Sequence, residues 1–210
     1  MQQKHEYAIL GGLKRTAVGR GLTQTAAAVS GVATFLVLQL VDLAKKFGLD
    51  ANLPPIVLSL LGAGTVYAGL YWLFDNHLWR FGLVLRFLKV PDLSGEWACV
   101  GQTLTEAGQI KFDWTGKVRI VQTYDSIQVR LTTDQSASSS VAAALQCDDA
   151  GGYRLLYHYQ NDPRVGEPEL HGHRGFADIT ITEDGRAAEG EYFTGAGRNT
   201  FGRMTWTKEG

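Results

Sequence analysis

The hydrophobic positions of this 210-residue chain follow different patterns on the two sides of Pro91. Upstream, two stretches contain no Asp, Glu, Lys or Arg, namely residues 21–41 and 51–74. As helices they would measure roughly 32 and 36 Å, and a bilayer hydrocarbon core is about 30 Å thick. We therefore predict a two-helix transmembrane hairpin, with spans at about 21–43 and 53–74. Two buried helices of a soluble domain are the alternative interpretation.

Aromatic and basic residues near the second stretch support a membrane location. Tyr67, Tyr71 and Trp72 lie towards its end, where an interfacial aromatic belt is expected. Residues 77–90 are apolar with scattered cations and are predicted to form an interfacial helix. A continuation of the second span is the alternative for this segment.

The distribution of Lys and Arg predicts the orientation of the hairpin. Seven of these residues flank the two spans on the outside, and two lie in the connecting loop. The excess of positive charge places both termini, and with them residues 92–210, in the cytoplasm. Cys99 and Cys147 form neither a disulfide framework nor a CxxC metal motif, which agrees with a reducing compartment.

Downstream of Pro91 the hydrophobic period changes to two, which is typical of β-strands. Turn signals rich in Gly, Asn and Asp separate eight candidate strands, and closing such strands into a barrel removes exposed edges. This half is therefore predicted to be a compact, lipocalin-like, eight-stranded antiparallel up-and-down β-barrel, whose floor Trp97 closes. The strands are predicted near residues 95–103, 109–121, 126–133, 138–147, 152–160, 172–182, 187–194 and 200–207.

The charge of the chain differs between its two parts. Residues 1–91 carry a net charge of +5 and residues 92–210 a net charge of −6, for a total of −1. The asymmetry indicates two physically different regions, a membrane anchor at 1–91 and a cytosolic ligand-binding barrel at 92–210. Large polyanions are excluded as partners, so we expect no binding to DNA or RNA. A small anion held by one or two arginines remains possible.

No arrangement of residues indicates catalysis. His171 and His173 are two apart on a predicted strand and would need a third ligand, His158 or Asp178, to hold a metal. We predict no catalytic residue, no metal site and no cofactor. A phosphodiesterase that uses the two histidines is an alternative.

The segment 192–202 is the richest candidate for ligand binding. Its glycines could expose backbone N–H groups to an anion, and Arg198 could supply a forked cation to a phosphate. A Gly-rich turn with a solvated arginine is the alternative. A dianionic ligand would require Arg198 and Arg174 to converge on the cavity, with Arg154 or Arg130 as a further candidate. The predicted ligand-binding residues are Tyr157, Tyr159, Arg174, Tyr192, Arg198, Asn199 and Thr200.

Two spans followed by a small cytosolic barrel resemble the two-transmembrane, β-strand-rich effectors of bacterial CBASS anti-phage defence, the SMODS-associating family. Residues 93–97 and 192–204, together with the two spans, carry this resemblance, which covers roughly residues 20–208. It implies a receptor that binds a cyclic dinucleotide made by a cyclic-oligonucleotide synthase. It also implies location in the bacterial inner membrane, contact with the lipid bilayer, ligand-driven self-association into oligomers, and membrane disruption that ends in growth arrest or cell death. A membrane-tethered, lipocalin-like carrier of an apolar ligand is the alternative, and it predicts an apolar cavity.

Overall fold

The computed structural model describes residues 4–49, 54, 58, 61–147, 152–163, 172–195 and 199–209. The chain divides into two compact units, a helical unit at residues 13–79 and a strand-rich unit that combines residues 1–12 with residues 80–210. The first twelve residues therefore belong with the C-terminal part of the chain.

The helical unit contains α1, Arg15–Lys46, and α2, Ala63–Asn76. Among the described residues, α1 alone is both long and apolar enough to cross a membrane. The two helices pack against each other, and the Ser30 hydroxyl donates a hydrogen bond to the Leu61 carbonyl. Much of the first half of the predicted second span lies outside the described residues, so only the later part of that span is seen as a helix.

The segment that leads into the strands is not one continuous helix. It consists of a 3₁₀ turn at Leu78–Arg80 and a short helix α3 at Gly82–Leu88. Lys89 ends α3 in the left-handed conformation, with φ of 56°. The predicted interfacial helix over residues 77–90 is thus present only as two short pieces, because the chain adopts an extended conformation at Phe81.

In the part of the chain that the structure describes, nine strands form one closed sheet in the order β1-β4-β3-β2-β9-β8-β7-β6-β5. Eight of them, β2 to β9, correspond to the eight predicted strands, with ends that differ by at most a few residues. The strands are β1 His5–Leu10, β2 Gly95–Leu104, β3 Ile110–Gln122, β4 Ser126–Thr132, β5 Ser136–Cys147, β6 Tyr153–Pro163, β7 His173–Ile181, β8 Ala187–Thr194 and β9 Phe201–Lys208.

Strand β1 brings the number of described strands to nine, one more than the predicted eight. It pairs antiparallel with β4 and parallel with β5, and it fills the gap where those two strands diverge. Farther along, β4 and β5 pair directly, from Arg130–Ser139 to Thr132–Ala137. The predicted anchor at residues 1–91 includes β1, which instead belongs to the strand-rich unit. Strand β1 has only six residues, and no other strand lies next to it in the sequence. A period of two over so short a stretch is too weak a signal to be recognised.

One end of the barrel, which we call the floor, is filled by large side chains. Trp97 and Trp206 are both fully buried, and their ring centroids are 6.3 Å apart. The Trp97 Nε1 donates a hydrogen bond of 3.1 Å to the Leu93 carbonyl. The structure therefore places Trp97 at the floor, where the sequence predicted it.

The amide of Gln122 links the segments that meet at the floor. Its Oε1 accepts a hydrogen bond of 2.8 Å from the Leu93 N–H. Its Nε2 donates to the Tyr7 hydroxyl at 3.1 Å and to the Pro91 carbonyl at 3.2 Å. The Gln122 backbone carbonyl accepts a 2.6 Å hydrogen bond from Arg80. A fully buried side chain thus joins β1, β3 and the segment that enters β2.

We expect Tyr7→Ala to destabilise the strand-rich unit by about 3 kcal/mol, since it removes a large buried ring from β1. Urea unfolding of the detergent-solubilised full chain, followed by near-ultraviolet circular dichroism, measures the loss. Glu6→Ala is the matched control, because Glu6 is on the same strand and exposed. Equal stability of the two variants would show that β1 does not contribute to the barrel.

Candidate ligand-binding cavity

A cavity of about 540 Å³ opens at the end of the barrel opposite the floor. Its size falls within the roughly 300–1,000 Å³ range of small-molecule sites. Aromatic, hydroxyl, amide and carboxylate side chains all contribute to its wall. The lining residues are Thr103, Phe112, Asp113, Trp114, Thr115, Leu131, Thr133, Asp134, Gln135, Ser136, Ser138, Tyr157, Tyr159, Asn161, His173, Tyr192, Thr194, Thr200 and Met204.

Glycines opposite aromatic residues keep this end of the barrel open. Three inward-facing glycines are the direct cross-strand partners of aromatic residues, and a Cβ added at any of them would crowd or overlap the partner's ring. Each ring therefore lies against the sheet, over its glycine, instead of filling the centre of the barrel. The pairs are Gly101 with Trp114, Gly175 with Tyr159 and Gly202 with Tyr192.

A column of aromatic rings runs from the floor to the cavity. The Tyr157 ring centroid is 6.3 Å from that of Trp206 and 6.1 Å from that of Tyr159. Burial raises the pKa of the Tyr157 hydroxyl well above its ordinary value, so this group is neutral at physiological pH. Burial likewise raises the pKa of the nearby Cys99 thiol to about 12, which keeps that thiol protonated and unreactive.

A second aromatic pair comes from another part of the wall. The rings of Trp114 and Tyr192 are 5.7 Å apart in an edge-on arrangement, and the Trp114 Nε1 donates a 3.2 Å hydrogen bond to the Tyr192 hydroxyl. That hydroxyl also shares a 2.7 Å hydrogen bond with Thr103. Trp114 lies on β3 and the Tyr157–Tyr159 pair on β6, on well-separated strands of the closed sheet. Two fixed aromatic pairs thus border one cavity.

Of the six predicted ligand-binding residues that the structure describes, four line the cavity. They are Tyr157, Tyr159, Tyr192 and Thr200.

Thr200 is bonded to Thr194 through both backbone and side chain, with hydroxyl oxygens 2.9 Å apart. This pair fixes both ends of the Gly-rich segment at the cavity wall. Asn199 is exposed, has φ of 44° and does not line the cavity, and Arg198 lies outside the described residues.

The described part of the chain does not bring the expected arginines together. Arg174 is exposed on the outer face, because its neighbours His173 and Gly175 point inward and the strand alternates. Arg154 forms an outer-face ion pair with Asp178, with a 2.6 Å hydrogen bond from its Nε.

Arg130 is also exposed. No lysine or arginine is among the described lining residues.

The histidine arrangement does not form a metal site within the described chain. His173 is buried and faces the cavity, whereas His158 and Asp178 lie on the opposite face of the sheet, and His171 lies outside the described residues. No group of three potential ligands comes together among the residues that the structure describes. These residues therefore give the phosphodiesterase alternative no support.

Sequence reasoning missed several lining residues. Asn161 continues the inward series of Tyr157 and Tyr159, so the period of two could have identified it. The same period places Thr103 in the inward series of Trp97, and Trp114 in that of Val118. Their hydrogen bonds with Tyr192, far away in sequence, could not be inferred from a local pattern.

Comparisons with known proteins identify the family to which the chain belongs. A family model described as Cap15, TM helices, matches residues 16–80, and one described as Cap15, cyclic dinucleotide receptor domain, matches residues 88–208. The chain belongs to the Cap15 family. This Cap15 chain is 41% identical over 206 residues to CD-NTase-associated protein 15 of Yersinia aleksiciae, covering 98% of each protein.

A protein of the same name from Staphylococcus schleiferi is 27% identical over 125 residues, which is 59% of this chain and 65% of that one. The Cap15 matches confirm the predicted resemblance to a CBASS receptor, since one of the two family models is described as a cyclic dinucleotide receptor domain.

Gly101→Ala in this Cap15 chain is expected to weaken cyclic dinucleotide binding about tenfold, because the new Cβ pushes the Trp114 ring into the cavity. Isothermal titration calorimetry on the solubilised full chain measures the effect. Val100→Ala, which changes the adjacent outward-facing residue, serves as the control. Equal affinities for both variants would show that the open lumen is not needed for binding.

Proposed function

We propose that the cavity binds the cyclic dinucleotide, with its two bases stacked on the two aromatic pairs. The observation that carries this proposal is the presence of the Trp114–Tyr192 and Tyr157–Tyr159 pairs around one cavity of suitable size. Stacking of a base on an aromatic side chain contributes about 1–3 kcal/mol per base and tolerates different bases. A ligand with two bases and a compact ring fits this arrangement.

The polar wall of the cavity supports a nucleotide over an apolar ligand. The Ser138 hydroxyl in this wall can donate a hydrogen bond to a ribose oxygen. The apolar-carrier alternative predicts a wall of hydrocarbon, which a lining rich in hydroxyl and amide groups does not favour.

The phosphate groups also need positive charge. The described lining offers the carboxylates of Asp113 and Asp134 and no lysine or arginine. Arg198 is two residues before Thr200 in the sequence, and Thr200 lines the cavity. We therefore retain Arg198, predicted from the sequence, as the cation that pairs with a ligand phosphate.

The second part of the proposal concerns the effect of ligand binding on the membrane. We propose that both spans cross the bacterial inner membrane with both termini in the cytoplasm, as the Lys and Arg distribution predicts. On and beside α3, the apolar side chains of Phe81, Leu83 and Phe87 are 63%, 87% and 74% exposed, which suits a segment at a lipid surface. Ligand binding then promotes self-association, and the helices disrupt the membrane, leading to growth arrest or cell death.

Arg198→Ala is expected to weaken cyclic dinucleotide binding about 10- to 100-fold, since a charge-assisted hydrogen bond is lost. Calorimetry on the full chain measures the affinity, and circular dichroism checks that the barrel remains folded. Arg203→Ala is the control, because Arg203 lies on the outer face and bonds Gln102. Unchanged affinity of the Arg198 variant would remove this residue from the site.

Replacing residues 14–79 by a flexible Gly–Ser linker is expected to abolish ligand-dependent membrane depolarisation while cyclic dinucleotide binding is retained. The linker variant keeps β1, which a simple deletion of residues 1–91 would remove together with the helices. A membrane-potential dye in cells that express the protein and a cyclic dinucleotide synthase reports the output. Depolarisation by the linker variant would contradict a membrane role for the helices.

A further inference from the structure

The side-chain amide of Asn161 stands out among the polar groups of the cavity. The residue is only 5% exposed and lies in the cavity wall near the end of β6. Its Nδ2 is fully buried and has no hydrogen-bond acceptor among the described residues. Buried donors in folded proteins are nearly always paired, so this unpaired donor requires an explanation.

The contrast with Gln122 shows that this fold can satisfy a buried amide. The Gln122 side chain makes hydrogen bonds through both its oxygen and its nitrogen at the floor of the barrel. Asn161 has inward-facing cross-strand partners on both sides, Ser138 and His173, yet its nitrogen donates to neither. A buried donor without an acceptor destabilises the free protein. A ligand that accepts a hydrogen bond from this donor removes that destabilisation in the complex.

We propose that Asn161 reads a base of the ligand, with Nδ2 donating to a ring nitrogen or carbonyl oxygen on the base edge. This inference rests on the proposed cyclic dinucleotide site and deepens it. Tyr159 lies two residues earlier on the same face of β6, so a base stacked on that ring presents its edge towards Asn161. Asparagine is well suited to the hydrogen-bonding edges of bases.

A base acceptor fits this position better than a phosphate oxygen does. The described wall of the cavity contains no lysine or arginine to neutralise a phosphate, and it contains the carboxylates of Asp113 and Asp134. Carboxylates in the same wall repel an anionic group but leave a neutral base unaffected. We therefore assign Asn161 to base selection, and the proposed partner of a ligand phosphate is Arg198.

The test compares Asn161→Leu and Asn161→Asp with the wild-type full chain in detergent. Both variants approximate the size of asparagine and remove the Nδ2 donor. Because the two replacements differ chemically, the test can still be carried out if one of the variants does not fold. Calorimetry with 3′,3′-linked cyclic dinucleotides carrying adenine, guanine, cytosine or uracil gives the affinities. The control is Gln160→Glu, the same amide-to-carboxylate change on the adjacent outward-facing residue of β6.

We expect both Asn161 variants to bind the preferred ligand at least about tenfold more weakly and to discriminate less between the four bases. Asn161→Leu is expected to melt at the same temperature as the unliganded wild type or higher, because a buried unpaired donor is gone. Gln160→Glu keeps the wild-type affinity.

Wild-type affinity in the Asn161 variants, or an equal loss for all four ligands, overturns base reading by Asn161 while leaving the proposed function intact. Failure of the wild-type chain to bind any cyclic dinucleotide overturns both.

Discussion

The strand-rich unit depends on one buried amide, that of Gln122, which satisfies several groups at once at the floor of the barrel. Its contacts with Tyr7, Pro91 and Leu93, and the contact of its backbone carbonyl with Arg80, bring together segments from before and after the helical region. Each of these polar groups would be costly if buried without a partner. Loss of this side chain would therefore leave the N–H of Leu93 and the hydroxyl of Tyr7 without this partner, and it would loosen β1 from the sheet.

The sizes of the inward-facing residues determine which end of the barrel is filled and which end is open to a ligand. At the floor, the indoles of Trp97 and Trp206 occupy the space between the walls. At the other end, glycines opposite aromatic residues, such as Gly101 opposite Trp114, hold the rings against the sheet and leave a cavity. The same closed sheet thus provides a rigid base and an open ligand site, and the column through Tyr157 connects them.

The two buried amides illustrate how stability and function are distributed in this fold. Gln122, at the floor, has its hydrogen-bonding capacity used within the protein, which suits a structural role. Asn161, at the cavity, has an unpaired buried donor, which suits a residue whose partner is supplied by a ligand. Unsatisfied buried polar groups are expected at functional sites, and the stability of the rest of the domain offsets the destabilisation that they cause.

The sequence by itself determined the long apolar helix, the eight strands downstream of Pro91, the burial of Trp97 and the inward orientation of Tyr157 and Tyr159. These features follow from local periodicity, since a period of two fixes which side chains share a face. The tertiary structure alone decided that β1 joins the sheet and that Trp114 meets Tyr192. Such contacts depend on closure of the barrel, which brings residues such as Tyr7 and Ala143 together from distant parts of the chain, and local patterns do not encode that pairing.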